Sequence, residues 1–321
     1  MNRKIKVFSG NTSRPLAGEV CKLLSIEPGL AEVVRFNDGE VRVQIQEDVR
    51  GTDVFIVNST EPPAENFIEA GLLVEAAHDA SAGRITLVIP YLGYNRQDRK
   101  DRSRVPISAG IMIDFLSRRG ADRVLLFDLH SEPTMGYFKP MVVDHLYGSK
   151  ISVPYISELA RKYPFVVASP DKGGGPRAEA YARLLGQDDF IFFFKSRRTT
   201  GEVRLQSIKI VGSIEGKNVF FVDDIIDTAG TIVSDAAVAK EAGAKDIYVI
   251  ATHALFSGDA IKRISDSSVK EVVVTNTICH DTSKFTESRV KITSLSIAPL
   301  LGEAIRRIHE GESLSSLILR A

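Results

Sequence analysis

The sequence predicts an α/β protein of two tandem, doubly wound domains with parallel sheets, each carrying a small antiparallel flap. Three observations lead there. Short apolar, β-branched runs alternate with helix-period segments through most of the chain. The strand runs are apolar at nearly every position, as in sheets covered on both faces. The length, 321 residues, exceeds one ordinary domain and suits two of roughly 150.

Strand-like runs fall in order at Ile5–Phe8, Val54–Val57, Ile85–Ile89, Val124–Phe127, Phe165–Val167, Val219–Val222, Ile247–Ala251 and Glu271–Val274. Helical periodicity marks Asn66–Ala77, with Ile68, Leu72 and Ala76 on one face, and Ile107–Leu116, Ile232–Ala242 and Ala298–Ile308. Val41–Gln46 and Val203–Val211 alternate apolar with polar, the pattern of half-exposed flaps. Each half opens with an apolar strand and a Ser-containing loop, Ser9-Gly10-Asn11 or Ser169-Pro170-Asp171, so a duplicated domain is expected. Gly, Ser and Pro cluster at Gly148–Pro154 and set the boundary, giving domains 1–150 and 151–321. The last residues are expected to pack back on the first domain.

Lys plus Arg is 41 and Asp plus Glu is 41, and residues 1–150 already hold 19 basic and 20 acidic side chains. Neither half has the positive excess of a general nucleic-acid binder. No apolar stretch approaches the ~20 residues of a membrane helix, and MNRKIKVFSG has no secretory pattern. Two cysteines, Cys21 and Cys279, do not make a disulfide framework. The expectation is a cytoplasmic protein.

FFVDDIIDTAGT, Phe220 to Thr231, is the strongest signal. An apolar strand leads into Asp223 and Asp224, then a small-residue turn, then a helix. The turn Asp227-Thr228-Ala229-Gly230-Thr231 offers backbone N–H groups, two hydroxyls and a helix N-terminus, which suit a phosphate dianion. Gly230 would let those N–H groups come close. The paired acids suit vicinal sugar hydroxyls or a hydrated Mg²⁺.

Arg96, Arg99, Lys100, Arg102 and Arg104 put five bases in nine residues, with Asp98 and Asp101 among them. That reads as a polyphosphate clamp or as a solvated loop neutralised by its own aspartates. No Walker A motif is present: GSIEGKN, Gly212–Asn218, has the wrong spacing. Phe36, Asp38 and Glu40 alternate. If extended they would share a face and make an adenine site; the bland reading is an exposed flap turn. Lys195 and Arg197, two apart after an aromatic strand, suit a transferring phosphoryl group or a solvated basic loop.

Together these segments resemble the ribose-phosphate diphosphokinase (phosphoribosyl-diphosphate synthetase) family, of type I phosphoribosyltransferase fold. The resemblance rests on FNDGE (Phe36–Glu40), PYLGYNRQDRKDRSR (Pro90–Arg104), DLH (Asp128–His130), SPDKGGGPRA (Ser169–Ala178), KSR (Lys195–Arg197), FFVDDIIDTAGT and VVTNTI (Val273–Ile278). It implies conversion of ribose 5-phosphate and ATP into phosphoribosyl diphosphate and AMP, in a site between the domains. It assigns ATP to Phe36, Asp38, Gly39, Glu40, Arg96, Gln97, Arg99 and Asp101, the flap serving a neighbouring subunit. It assigns ribose 5-phosphate to Asp223, Asp224 and Asp227 through Thr231, catalysis to Lys195 and Arg197, and Mg²⁺ to His130 and Asp171.

The resemblance also implies a homo-oligomer, usually a hexamer built from dimers, and an effector site activated by phosphate and inhibited by ADP. The matching positions are Asp48, Arg50, Arg104, Ser313 and Ser315, with Asp48 standing where the family has Ser. Two rivals share parts of this pattern. A phosphoribosyltransferase would share Asp223–Thr231 but need neither the basic stretch nor two tandem domains. A non-catalytic regulatory homologue would carry a damaged Lys195–Arg197 segment.

Overall fold

The computed structural model describes residues 3–200 and 203–318; of residues 194–200 and 203–209 it describes the backbone alone. The chain runs β1 (Ile5–Ser9), α1 (Arg14–Leu23), β2 (Ala31–Arg35), β3 (Val41–Ile45), β4 (Asp53–Val57), α2 (Glu65–Asp79), β5 (Arg84–Ile89), α3 (Ser108–Ser117), β6 (Arg123–Phe127) and β7 (Val142–Leu146). It continues as α4 (Ser149–Ala160), β8 (Phe165–Ser169), α5 (Gly175–Leu184), β9 (Phe190–Thr200), β10 (Val203–Val211), β11 (Asn218–Ile226) and α6 (Gly230–Glu241). It ends with β12 (Ile247–Ala254), α7 (Ala260–Ser265), β13 (Glu271–Thr275), α8 (Ser283–Thr286), β14 (Lys291–Leu295), α9 (Ala298–Glu310) and α10 (Ser315–Ile318).

Two compact units result. The first holds the chain through Tyr147, Thr277–Cys279 and the segment from Ser296; the second holds Gly148–Asn276 and His280–Leu295. The first unit's sheet has order β1-β4-β5-β6-β7, all parallel. The second repeats that frame as β8-β11-β12-β13-β14 and adds the β9–β10 hairpin beyond β8. In the first unit the corresponding hairpin, β2–β3, forms a two-stranded sheet of its own. Register is also repeated: Ile5 pairs with Asp53, the first residue of β4, as Phe165 pairs with Asn218, the first of β11.

The helix after each last strand has a revealing place. α4 follows β7 in sequence yet packs on α5 in the second unit; its Ser152 hydroxyl meets the Tyr181 hydroxyl at 2.7 Å. α9 follows β14 yet packs on α1 in the first unit, where Gly302 faces Leu23. Leu301, Ala304, Ile305 and Ile308 form its buried stripe. The C-terminal end of α9 is tied down by charge. Asp53, fully buried at the start of β4, accepts from Arg84 Nε at 2.8 Å, and its other oxygen meets His309 Nδ1 at 2.8 Å. Arg84 also donates to the Ile308 carbonyl at 2.7 Å.

Gly148–Pro154, the expected boundary, enters α4 at the start of the second unit, with Pro154 inside the helix. One sequence expectation is corrected here. On α2, Ile68 and Leu72 face outward and the buried face is Phe67, Ala70, Leu73, Val74 and Ala77. Both stripes have helical spacing, so periodicity alone could not choose between them.

A contiguous first half therefore lacks a helix that the second half supplies to itself. Fragment 148–295 should fold cooperatively, whereas fragment 1–147 should not until a peptide of residues 296–318 is added. Circular dichroism melts of the two fragments, with and without that peptide, measure this; a stable, cooperative 1–147 alone would refute it.

Candidate active site

In the second unit, β11 does not stop before its two acids but continues through Asp223 and Asp224 to Ile226. Asp224 is buried and Asp223 half-buried, and the Asp224 N–H donates to Asp223 Oδ1 at 2.9 Å. Burial, and then the neighbouring Asp224 carboxylate, push the Asp223 carboxyl well above the ordinary carboxylate range, against the pull of the Arg177 guanidinium. Arg177, on α5, lies 4.0 Å from Asp224. It stands inside SPDKGGGPRA, yet sequence reading gave it no role because only the fold sets α5 beside β11.

The turn after β11 is held from two sides. Ser257 N–H donates to the Asp227 carbonyl at 3.0 Å and Arg263 Nη1 to the Thr228 carbonyl at 2.9 Å. Ala229, at φ 60°, takes the left-handed conformation, and its carbonyl accepts the first α6 bond, from Val233, at 3.0 Å. The conformational burden expected of Gly230 thus falls on Ala229. Gly230 is helical and exposed; a Cβ there would meet only Thr228 Oγ1, at 3.9 Å. The N–H groups of the first α6 turn precede any intrahelical acceptor, and Thr228, Gly230 and Thr231 surround them at the surface. Open N–H groups at a helix N-terminus are the arrangement that suits an anion.

Asp171 sits in the loop between β8 and α5. Its Oδ1 accepts the Gly174 N–H at 2.8 Å, and Ser169 Oγ donates to its carbonyl at 2.6 Å. An exposed carboxylate fixed in this way fits Mg²⁺ as an oxygen donor. Gly174 and Gly175 have packing reasons of their own: a Cβ would fall 2.6 Å from Ser169 Oγ or 2.9 Å from the Phe192 ring. Lys195 and Arg197 lie within β9, not in a loop, opposite Ile208 and Gln206 of β10; their side chains are outside the described part.

The ATP candidates and His130 belong to the first unit. Phe36–Glu40 is the tight turn of the β2–β3 hairpin, not an extended run. Gly39 N–H donates to the Phe36 carbonyl at 2.9 Å, Gly39 has φ 97°, and Asp38 Oδ1 accepts the Glu40 N–H at 3.1 Å. The Phe36 ring is exposed, with the Arg42 guanidinium 6.0 Å from its centre. In the basic stretch, Arg96, Gln97, Arg99 and Arg104 are exposed, and Asp101 is engaged by Arg102 at 3.3 Å, a solvated pair of little energy. Asn95, unmarked by sequence reading, joins this loop to the one after β6: it donates to Thr134 Oγ1 and accepts the Ser131 N–H, both at 2.7 Å. That second loop presents His130 at the surface, a softer donor than Mg²⁺ prefers. Among the described residues no three His, Cys, Asp or Glu side chains gather as a metal site.

The effector candidates are also in the first unit. Asp48 is exposed and caps the Arg50 N–H at 3.0 Å. Arg50 and Arg84 line a cavity of about 790 Å³, and Ser315 and Arg84 another of about 280 Å³, so Arg84 lies between them. Ser313 Oγ accepts the Ser315 N–H at 3.2 Å. Arg104 lines neither cavity.

The first unit's own counterpart of the phosphate turn, the loop after β4, is closed. Ser59 Oγ donates to the Thr277 carbonyl at 2.5 Å, and Thr60 Oγ1 accepts from Gly93 at 2.9 Å. Glu61, in this loop, has a buried oxygen with no hydrogen-bond partner. Burial, with a further push from Glu69, raises its carboxyl from 4.5 to about 7. A carboxyl raised on folding favours the folded state at low pH and loses that advantage as pH rises from about 4.5 towards 7. Glu61→Gln should therefore remove about 3 kcal/mol of pH-dependent stability across that window. Urea melts of both proteins at pH 5 and pH 8 test this; parallel pH dependences would clear Glu61.

Comparison with known proteins accords with this arrangement. A family model for the N-terminal domain of ribose phosphate pyrophosphokinase matches residues 5–120, and one for the phosphoribosyl synthetase-associated domain matches residues 201–319. Ribose-phosphate pyrophosphokinases of Clostridium perfringens and Vibrio parahaemolyticus are each 45% identical, with 98% of both chains covered. The crystal structure of phosphoribosylpyrophosphate synthetase from Mycobacterium smegmatis superimposes with a TM-score of 0.89 at 36% identity, covering 96% of this chain and 100% of that one. With the phosphate turn, the paired acids and the duplicated parallel sheets in their places, this chain belongs to the ribose-phosphate pyrophosphokinase family.

Proposed function

We propose that the chain transfers the diphosphoryl group of MgATP to the 1-hydroxyl of ribose 5-phosphate, yielding 5-phosphoribosyl 1-diphosphate and AMP for nucleotide biosynthesis in the cytoplasm. The observation that carries this is the β11–turn–α6 geometry, a phosphate cradle directly after two acids. The anomeric oxygen attacks the β-phosphorus, the bond from that phosphorus to the α-phosphate oxygen breaks, and the hydroxyl proton is lost. Positioning and electrostatics supply most of the acceleration.

In this reading the turn Asp227–Thr231 holds the 5-phosphate, and Asp223 and Asp224 hold the ribose hydroxyls. Loss of a proton from Asp223 is favoured once a cationic or hydrogen-bonding ligand arrives, since its repulsion with Asp224 is then offset. Lys195 and Arg197 meet the migrating diphosphoryl group, and Arg96, Gln97, Arg99 and Asp101 meet ATP. Phe36, Asp38, Gly39 and Glu40 supply the adenine site, in a homo-oligomer. Asp171 and His130 would hold Mg²⁺, which when bound neutralises phosphate charge.

Incubation with ATP, Mg²⁺ and ribose 5-phosphate should release AMP; ADP would mean a simple kinase. Lys195→Ala should lower kcat by orders of magnitude with little change in KM. Gly230→Val should fold normally, because a side chain there has open space, yet weaken ribose 5-phosphate at least tenfold and spare ATP. Calorimetry that finds both ligands weakened equally would remove the turn from the sugar-phosphate role. At the effector positions, the Asp48 carboxylate opposes an anion, so activation by phosphate should be weak and should strengthen in Asp48→Ser. Initial rates against phosphate concentration measure this, and strong activation of the unmodified protein would count against it.

A further inference from the structure

The amino ends of the second unit's strands carry a pocket that the phosphate turn, at their carboxyl ends, does not use. Its volume is about 570 Å³. Arg161 and Lys162 reach it from just beyond α4 and Lys217 from just before β11, while Tyr163 and Phe165 supply apolar wall. No acidic side chain is among its lining residues. Tyr163 is 47% exposed, and the Lys245 ammonium stands 3.0 Å from its ring centre, a further cation at the rim.

A second observation lies next to the pocket, although the residue concerned is not among its lining. Asn218, next to Lys217, is fully buried, and neither its Oδ1 nor its Nδ2 has a hydrogen-bond partner. Its N–H donates to the carbonyl of Pro164, and it pairs with Phe165; both residues line the pocket. Strand alternation sets Asn218 on the same face as Phe220, the face covered by α4 and α5. A buried amide orphaned at both ends is a polar group that the chain itself leaves unmatched.

The duplication explains what is missing. Asn218 is the register equivalent of Asp53, the first residue of β4. In the first unit that position is a carboxylate, and it satisfies Arg84 and His309, the latter on the helix that matches α4. In the second unit the same position is a neutral amide, the register neighbour that matches Arg84 is Asp246, and the cations Arg161, Lys162 and Lys217 instead line the adjacent pocket. We propose that this pocket is an anion site, taking a phosphate-bearing small molecule where the first unit has a built-in carboxylate. Its charge would be met by Arg161, Lys162 and Lys217, with the exposed edge of Tyr163, whose ring already carries the Lys245 ammonium, as an apolar wall for a base.

The test is equilibrium dialysis of the full-length protein with three labelled probes: inorganic phosphate, diphosphate and ADP. Comparison is with the Lys162→Glu/Lys217→Glu variant and with Asn218→Asp, which restores the first unit's carboxylate. Each variant should lose one bound equivalent per chain, with kcat and both KM values within twofold of the unmodified protein. Binding of phosphate or diphosphate identifies a bare anion site; binding of ADP alone identifies a nucleotide that uses Tyr163. Equal stoichiometry in the unmodified protein and both variants, for all three probes, would overturn the proposal.

Discussion

A parallel sheet must be covered on both faces, because its strands are apolar on both and its crossovers put helices there. In this chain that requirement reaches across nearly the whole sequence. The second unit, interrupted only by Thr277–Cys279 among the described residues, brings its own first helix, α4. The first unit begins directly with β1, and the helix that takes the equivalent place, α9, is made some three hundred residues later. Asp53, Arg84 and His309 fix that closure with a buried, hydrogen-bonded charge cluster, in which removal of one partner would leave an uncompensated charge.

The two ends of each sheet follow different physical logic. At the amino end of the first sheet, a buried acid is hydrogen-bonded by Arg84 and His309, an arrangement that serves stability. At the carboxyl ends, strain and repulsion are kept. Tyr94, Asp128, Ala229 and Phe256 all hold positive φ, and they follow β5, β6, β11 and β12. Asp223 and Asp224 stand adjacent in a partly buried strand, with the carboxyl of Asp223 displaced upward by burial and by its neighbour. Strain of this kind persists where surrounding structure enforces it, as the bonds from Ser257 and Arg263 do around the phosphate turn.

The duplication also distributes chemistry unequally. The loop after β4 has hydroxyls comparable to those of the phosphate turn, but Ser59 and Thr60 are consumed by backbone partners within the first unit. The loop after β11, by contrast, leaves Thr228, Gly230 and Thr231 exposed around its helix N-terminus. The hairpins diverge too: β9 extends the second sheet, whereas β2–β3 stands apart.

Sequence alone determined the alternation of strands and helices, the parallel sheets, the duplication and the strand–turn–helix after the paired acids, because each rests on local signals. Apolar runs, helical spacing and a Gly- and Thr-containing turn after paired acids are read over ten or so residues. It left undecided whatever depends on which segments meet. Two stripes on α2 have helical spacing, and only packing showed that Phe67, Leu73 and Val74 face inward while Ile68 and Leu72 do not. Arg177 and Arg263 gained roles only when α5 and α7 came beside β11 and its turn. The left-handed residue proved to be Ala229 although glycine stands next to it, since tertiary hydrogen bonds, not intrinsic preference, fix that backbone. The exchange of α9 into the first unit was likewise beyond local reading: periodicity marks a helix, but covering a sheet is a property of the whole chain.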